Sequence, residues 1–79
     1  MTPKQIQDAI QSQMPGCTCN VFSDDLVHYE AHVIYAGFIG KSRIQQHRMV
    51  YAALGDAMTH AVHALQLATK IPNQEKTSS

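Results

Sequence analysis

Apolar and polar positions change period three times along this chain, and each change predicts an element. At the start, Ile6, Ile10 and Met14 recur every four residues with Ala9 beside them, the single apolar stripe of an amphipathic helix. Thr2 stands where a helix cap belongs, Pro3 suits the first helical position, and Gln5 completes a capping box. Pro15-Gly16 ends the stripe. From Cys17 the period falls to two: Cys17, Cys19 and Val21 alternate with Thr18, Asn20 and Phe22, predicting a strand. Ser23-Asp24-Asp25 reads as a turn. A second strand is predicted from about Leu26 to Ala36. Its apolar face is Val27, Tyr29, Ala31, Val33 and Tyr35, and His28, Glu30 and His32 point the other way.

Gly37 and Gly40 punctuate a turn, and Ser42 stands before a helix that places Ile44, Val50, Tyr51 and Leu54 on one side. That helix breaks near Gly55-Asp56, and Ala57 and Met58 carry the apolar character on to Thr59-His60. Val62 to Leu67 predicts a third strand, with Leu65 and Leu67 inward and His63 at its entry, stopped by Ile71-Pro72. Residues 73–76 allow one more helical turn, and 77–79 form a frayed tail. The order is helix, strand, strand, helix or helix pair, strand. It predicts an α+β domain over residues 1–72, with helices on one face of a small mixed sheet.

Seventy-nine residues hold one domain with a small core. Formal charge is zero and the pI is near 7.0, which argues against a protein that lives mainly on phosphate backbones. Locally the picture differs, because Lys41, Arg43 and Arg48 are three of the six lysines and arginines. No apolar run reaches membrane-span length and the N-terminus lacks a signal-peptide core, so a soluble cytoplasmic protein without membrane contact is expected. Cys17 and Cys19 sit on one strand face, a poor geometry for bridging each other, so both are expected as free thiols that titrate with a thiol reagent.

No catalytic set emerges: there is no phosphate-cradling loop and no nucleophile elbow, and the reading is a binding protein, not an enzyme. The five histidines are the more informative count. His47 reads as a packed imidazole beside Tyr51, and His60 suits a helix C-terminus. Cys17, Cys19, His28, His32 and His63 together offer the soft and borderline donors used for zinc or iron–sulfur centres, and spacing does not say whether they converge. Gly37-Phe38-Ile39-Gly40 spells the G-x-x-G that clamps nucleic-acid backbone in KH domains, but it lies between a strand and a helix and not between two helices.

Phe38, Gly40 to Arg43, His47 to Tyr51, Leu54, and His63 to Leu65 spell F-x-G-K-S-R, H-R-x-V-Y-x-x-L and H-A-L, and in these the chain closely resembles the BolA family. The resemblance implies a KH-like α-β-β-α(α)-β fold. It also implies a complex with a monothiol glutaredoxin that shares a [2Fe–2S] cluster, with glutathione, and no cluster in the isolated monomer or weak homodimer. Some relatives are described as DNA-binding transcriptional regulators of stress responses. The family's signature histidine falls on His63. The second ligand falls on His28 by one branch's pattern and on Cys17 or Cys19 by another's, with His28 put first. For DNA the implied contacts are Lys41, Arg43 and Arg48, with weak binding that is lost at moderate salt. Two departures stand out: Gln46 replaces the first arginine of Arg-His-Arg, and the tryptophan after the closing proline is absent.

Overall fold

The structure, a computed structural model, describes residues 2–55 and 64–72. Helix α1 spans Pro3–Gln13, strand β1 Thr18–Phe22 and strand β2 His28–Ile34, and a short 3₁₀ turn covers Ala36–Phe38. Helix α2 is Arg43–Leu54 and strand β3 Ala64–Lys70. The predicted features at Ala57, Met58, His60, Val62, His63 and 73–79 lie outside the described residues.

Helices α1 and α2 start as the sequence dictates. Thr2 Oγ1 accepts from the Gln5 amide at 3.2 Å while Gln5 Oε1 accepts from the Thr2 amide at 2.9 Å. Ser42 and Gln45 repeat the same reciprocal pair at α2. Each box satisfies two amides that have no partner within the helix. Gly55, at φ +56°, closes α2 in a backbone conformation that a side chain would strain.

The sheet order is β1-β2-β3, with β1 antiparallel and β3 parallel to β2. Ile6 and Ile10 of α1, its C-cap Met14, and Val50 and Leu54 of α2 cover one face, closing on Cys19, Val21, Tyr29, Ala31 and Val33. Phe38, fully buried, seals the end of this core, and Leu65 and Leu67 pack against it from β3. The alternation read from the sequence holds within β2, with Tyr29, Ala31 and Val33 inside and His28, Glu30 and His32 on the open face, whereas Val27, expected on the apolar face, lies in the turn before the strand and is exposed.

Three expectations need correction. The second strand begins at His28 and not Leu26, because Ser23 and Asp25 side chains take up the amides of Leu26, Val27 and His28 and hold that segment as a turn. It ends at Ile34, since Ala36 belongs to the 3₁₀ turn. The apolar stripe of α2 is in fact two stripes: Val50 and Leu54 are buried, whereas Ile44 is 66% and Tyr51 39% exposed. At about 100° per residue, Ile44 and Tyr51 align with each other and point away from the Val50–Leu54 line. Finally, the third strand continues past Leu67 to Lys70, because Thr69 and Lys70 keep parallel register with Val33 and Ile34.

Candidate functional site

The open face of β2 carries His28 and His32 in different states. His28 opens the strand just after the turn. Asp25 Oδ1 accepts from the amides of Val27 and His28, both at 2.9 Å, and its Oδ2 lies 2.8 Å from His28 Nδ1. One carboxylate thus fixes both the backbone and the ring. The His28 ring and amide, with the Val27 amide, hold the Asp25 carboxyl well below the usual carboxylate range. An ionised carboxylate beside Nδ1 places the ring proton there, leaving Nε2 with its lone pair; among the described residues Nε2 has no partner. In His32 the arrangement is reversed: Nε2 meets Glu30 Oε2 at 2.5 Å, and the ring stands edge-on to Phe22 at 6.0 Å.

The cysteines lie elsewhere. Cys19 is the register partner of Val33 on the helix-covered face and is 3% exposed. Burial, reinforced by Cys17, pushes its thiol up to about 11, and burial also raises Cys17, which is half-buried. Val33 is five residues along β2 from His28, roughly 17 Å at strand rise. Cys19 therefore sits at the far end of the hairpin and on the opposite face from His28. Both cysteines are free thiols, as expected, but Cys19 is buried where a reagent reaches it only as the domain opens.

His63 lies outside the described residues. Its neighbour in the chain, Ala64, is the register partner of His28, so β3 joins the sheet beside the Asp25–His28 pair. Among the described residues no three His, Cys, Asp or Glu side chains form a metal-holding group. His47 is half-buried, edge-on to Tyr51 at 6.5 Å.

The basic residues divide. Arg43 opens α2 and, with Gln46, Thr69, Lys70 and Ile71, lines a hollow of about 390 Å³. Arg48 is five residues on, about 140° around the helix axis, and cannot share that hollow's wall. Lys41, Arg43, Arg48 and Lys70 form no ion pair among the described residues. Lys70 carries no local signal in the sequence, since only the parallel register brings it to Arg43. Asp25 reads locally as a turn former, and its spacing of three residues before His28 is the signal that the carboxylate can reach the ring.

Among the described residues, a three-stranded mixed sheet with two helices on one face, entered by β3 beside an oriented histidine, is a KH-like α+β fold of the BolA class. The BolA family model, described as BolA-like protein, matches residues 5–74, and the chain belongs to the BolA family. A solved bolA homologue from Coxiella burnetii is 31% identical with a TM-score of 0.85, covering 96% of this chain and 97% of its own. Among curated proteins, BolA-like protein 1 of Homo sapiens is 36% identical over 52 residues, 66% of this chain and 38% of that protein. The chloroplastic protein BOLA1 of Arabidopsis thaliana is 31% identical over 52 residues, 66% of this chain and 32% of that protein. The matches thus span about a third of these relatives' length. Among the described residues no helix is long and apolar enough to cross a membrane.

Proposed function

We propose that this BolA-family chain is an adaptor that joins a monothiol glutaredoxin across a [2Fe–2S] cluster, with His63 and His28 as its ligands. The observation that carries the choice of His28 is its imidazole: Nδ1 is pinned by Asp25 at 2.8 Å, and among the described residues Nε2 has no partner on the exposed face of β2. A carboxylate behind a histidine fixes the tautomer and orientation and raises ligand basicity, which suits this donor to iron. His32 has its Nε2 committed to Glu30, and Cys19 is closed off beneath the helices. The bound cluster would supply a transferable, redox-active iron–sulfur unit; imidazole in place of thiolate removes negative charge and raises its potential. The role is then in iron–sulfur trafficking or iron sensing.

The test is anaerobic mixing with a monothiol glutaredoxin, iron, sulfide and glutathione, followed by visible absorption and circular dichroism. A mixed spectrum distinct from that of the glutaredoxin alone is expected. His63→Ala should abolish it, and His28→Ala should alter it more than Cys17→Ser or Cys19→Ser. An intact mixed spectrum in His63→Ala sinks the ligand assignment.

A second reading, DNA binding through Lys41, Arg43 and Arg48, is favoured by the absence of ion pairs on those cations among the described residues. Neutral overall charge and the division of Arg43 from Arg48 around α2 limit it to weak binding. Retention on DNA that persists at physiological salt would promote this reading over the first.

A further inference from the structure

The β1–β2 turn holds a leucine where its chemistry does not belong. Leu26 has φ +59°, and among the described residues no other non-glycine residue has positive φ. That region disfavours a branched L side chain, whereas asparagine and aspartate tolerate it. The conformation is fixed from three directions. The Leu26 amide donates to Ser23 Oγ at 2.9 Å, and the Tyr29 hydroxyl donates to the Leu26 carbonyl at 2.8 Å. Ser23 is itself anchored, donating to the His28 carbonyl at 2.7 Å. All this hydrogen bonding leaves the side chain 51% exposed, with Val27 at 43% and Phe22 at 58% on either side of the same turn. Strain maintained by its surroundings and yielding an exposed apolar side chain does not serve the chain's own core.

The neighbours say what covers it. Asp25 and His28 stand one and two residues from Leu26, and a hollow of about 300 Å³ opens there between Phe22, Asp24, His28 and Glu30. A protein that completes coordination at His28 Nε2 must come down over this end of the hairpin. We propose that Phe22, Leu26 and Val27 form a rigid apolar docking tip for the partner that supplies the other ligands, one with an apolar patch and basic side chains at its rim facing Asp24 and Glu30. The proposal rests on the cluster-sharing reading above. Because the turn is already fixed, little ordering opposes association, and burying the leucine contributes directly to affinity.

The test is anaerobic calorimetric titration of cluster-loaded monothiol glutaredoxin into wild type, Leu26→Asn, Phe22→Ser and Ile44→Ser, with thermal melts of each. Ile44 is the control, an exposed isoleucine on α2 away from the turn. Leu26→Asn should melt at the wild-type temperature or above, since the strain is relieved, yet bind about tenfold more weakly. Phe22→Ser should also weaken binding, and Ile44→Ser should not. Wild-type affinity in both turn variants overturns the docking tip and leaves the ligand reading standing. A lowered melting temperature in Leu26→Asn also overturns it, because the leucine is then structural. If the turn variants bind weakly while His28→Ala keeps the mixed spectrum, the tip stands and the ligand reading falls. Failure of wild type to bind overturns both.

Discussion

Asp25 Oδ2 lies 2.8 Å from His28 Nδ1, while the other oxygen of the same carboxylate accepts from the Val27 and His28 amides. The pair sets which ring nitrogen is free, and that can be tested without any cluster. Nitrogen-15 shifts of His28 should report the proton on Nδ1 in the neutral ring of the isolated protein. Asp25→Asn keeps an oxygen for the two amides but turns an NH₂ toward the ring. Nδ1 must then accept, and the proton moves to Nε2, the nitrogen needed for metal. We predict a tautomer switch in Asp25→Asn with an intact fold, and cluster affinity lower by about ten- to a hundredfold. An unchanged tautomer would show that Asp25 is not the positioning residue.

The parts that were legible in the sequence are those that local chemistry decides. Thr2 with Gln5, and Ser42 ahead of α2, announce both helix starts because a cap is a contact within four residues. The alternation through His28, Glu30 and His32 announces the open face for the same reason. What stayed hidden depends on register and on competition. Separation of Cys19 from His28 follows from the pairing of Cys19 with Val33, which no local pattern encodes. The Arg43–Lys70 hollow needs the parallel β3. Leu26 is held at positive φ by Ser23 and Tyr29 against its own preference, so propensity points the wrong way there. Ile44 and Tyr51 misled because two stripes of a helix can each have helical spacing.

Burial of Cys19 makes a prediction about alkaline stability. Its thiol is raised to about 11 from an ordinary 9.0, so the folded state favours the protonated form. A raised value contributes stability that is fully present below the unfolded value and is lost as pH rises through the folded one. Wild type should therefore lose on the order of 2 kcal/mol relative to Cys19→Ala between pH 8 and about 11, read from urea melts at each pH. Near neutral pH a thiol reagent should label Cys17 first, with Cys19 reacting only as fast as the domain opens. Equal labelling rates would mean that Cys19 is not covered by the helices.

Ser42 tests how far α2 depends on its first turn. Its hydroxyl accepts from the Gln45 amide at 3.2 Å, and Gln45 returns the bond to the Ser42 amide at 2.9 Å. Ser42→Ala removes the first bond and should cost about 1 kcal/mol in denaturant melts, with Ser42→Asp close to neutral. Since Lys41 and Arg43 flank this position, the substitution should leave the wild-type far-UV spectrum in place. A cost below a few tenths would show that the cap does not contribute.

Gln46 ties three segments together. Its Nε2 donates to the Lys41 carbonyl at 3.0 Å, and its Oε1 accepts from the Thr69 hydroxyl at 2.5 Å. The start of α2 is thereby linked both to the loop before it and to the end of β3. There the Lys70 carbonyl accepts from the Tyr35 amide at 3.1 Å. Thr69→Val keeps the shape but leaves the glutamine oxygen without its donor, and Gln46→Leu removes the oxygen as well. Each single change should cost about 1 kcal/mol. The double variant should cost less than their sum, because the second change relieves the group that the first left unpaired. A double-mutant cycle in denaturant should thus give a coupling of about 0.5–1.5 kcal/mol. Amide exchange at Tyr35 supplies the independent check: it should speed up in either single variant while exchange at Ile10, in the α1 core, follows only the change in global stability. Strict additivity, with Tyr35 exchange no faster than global unfolding requires, would show that the helix and strand are held together by packing alone.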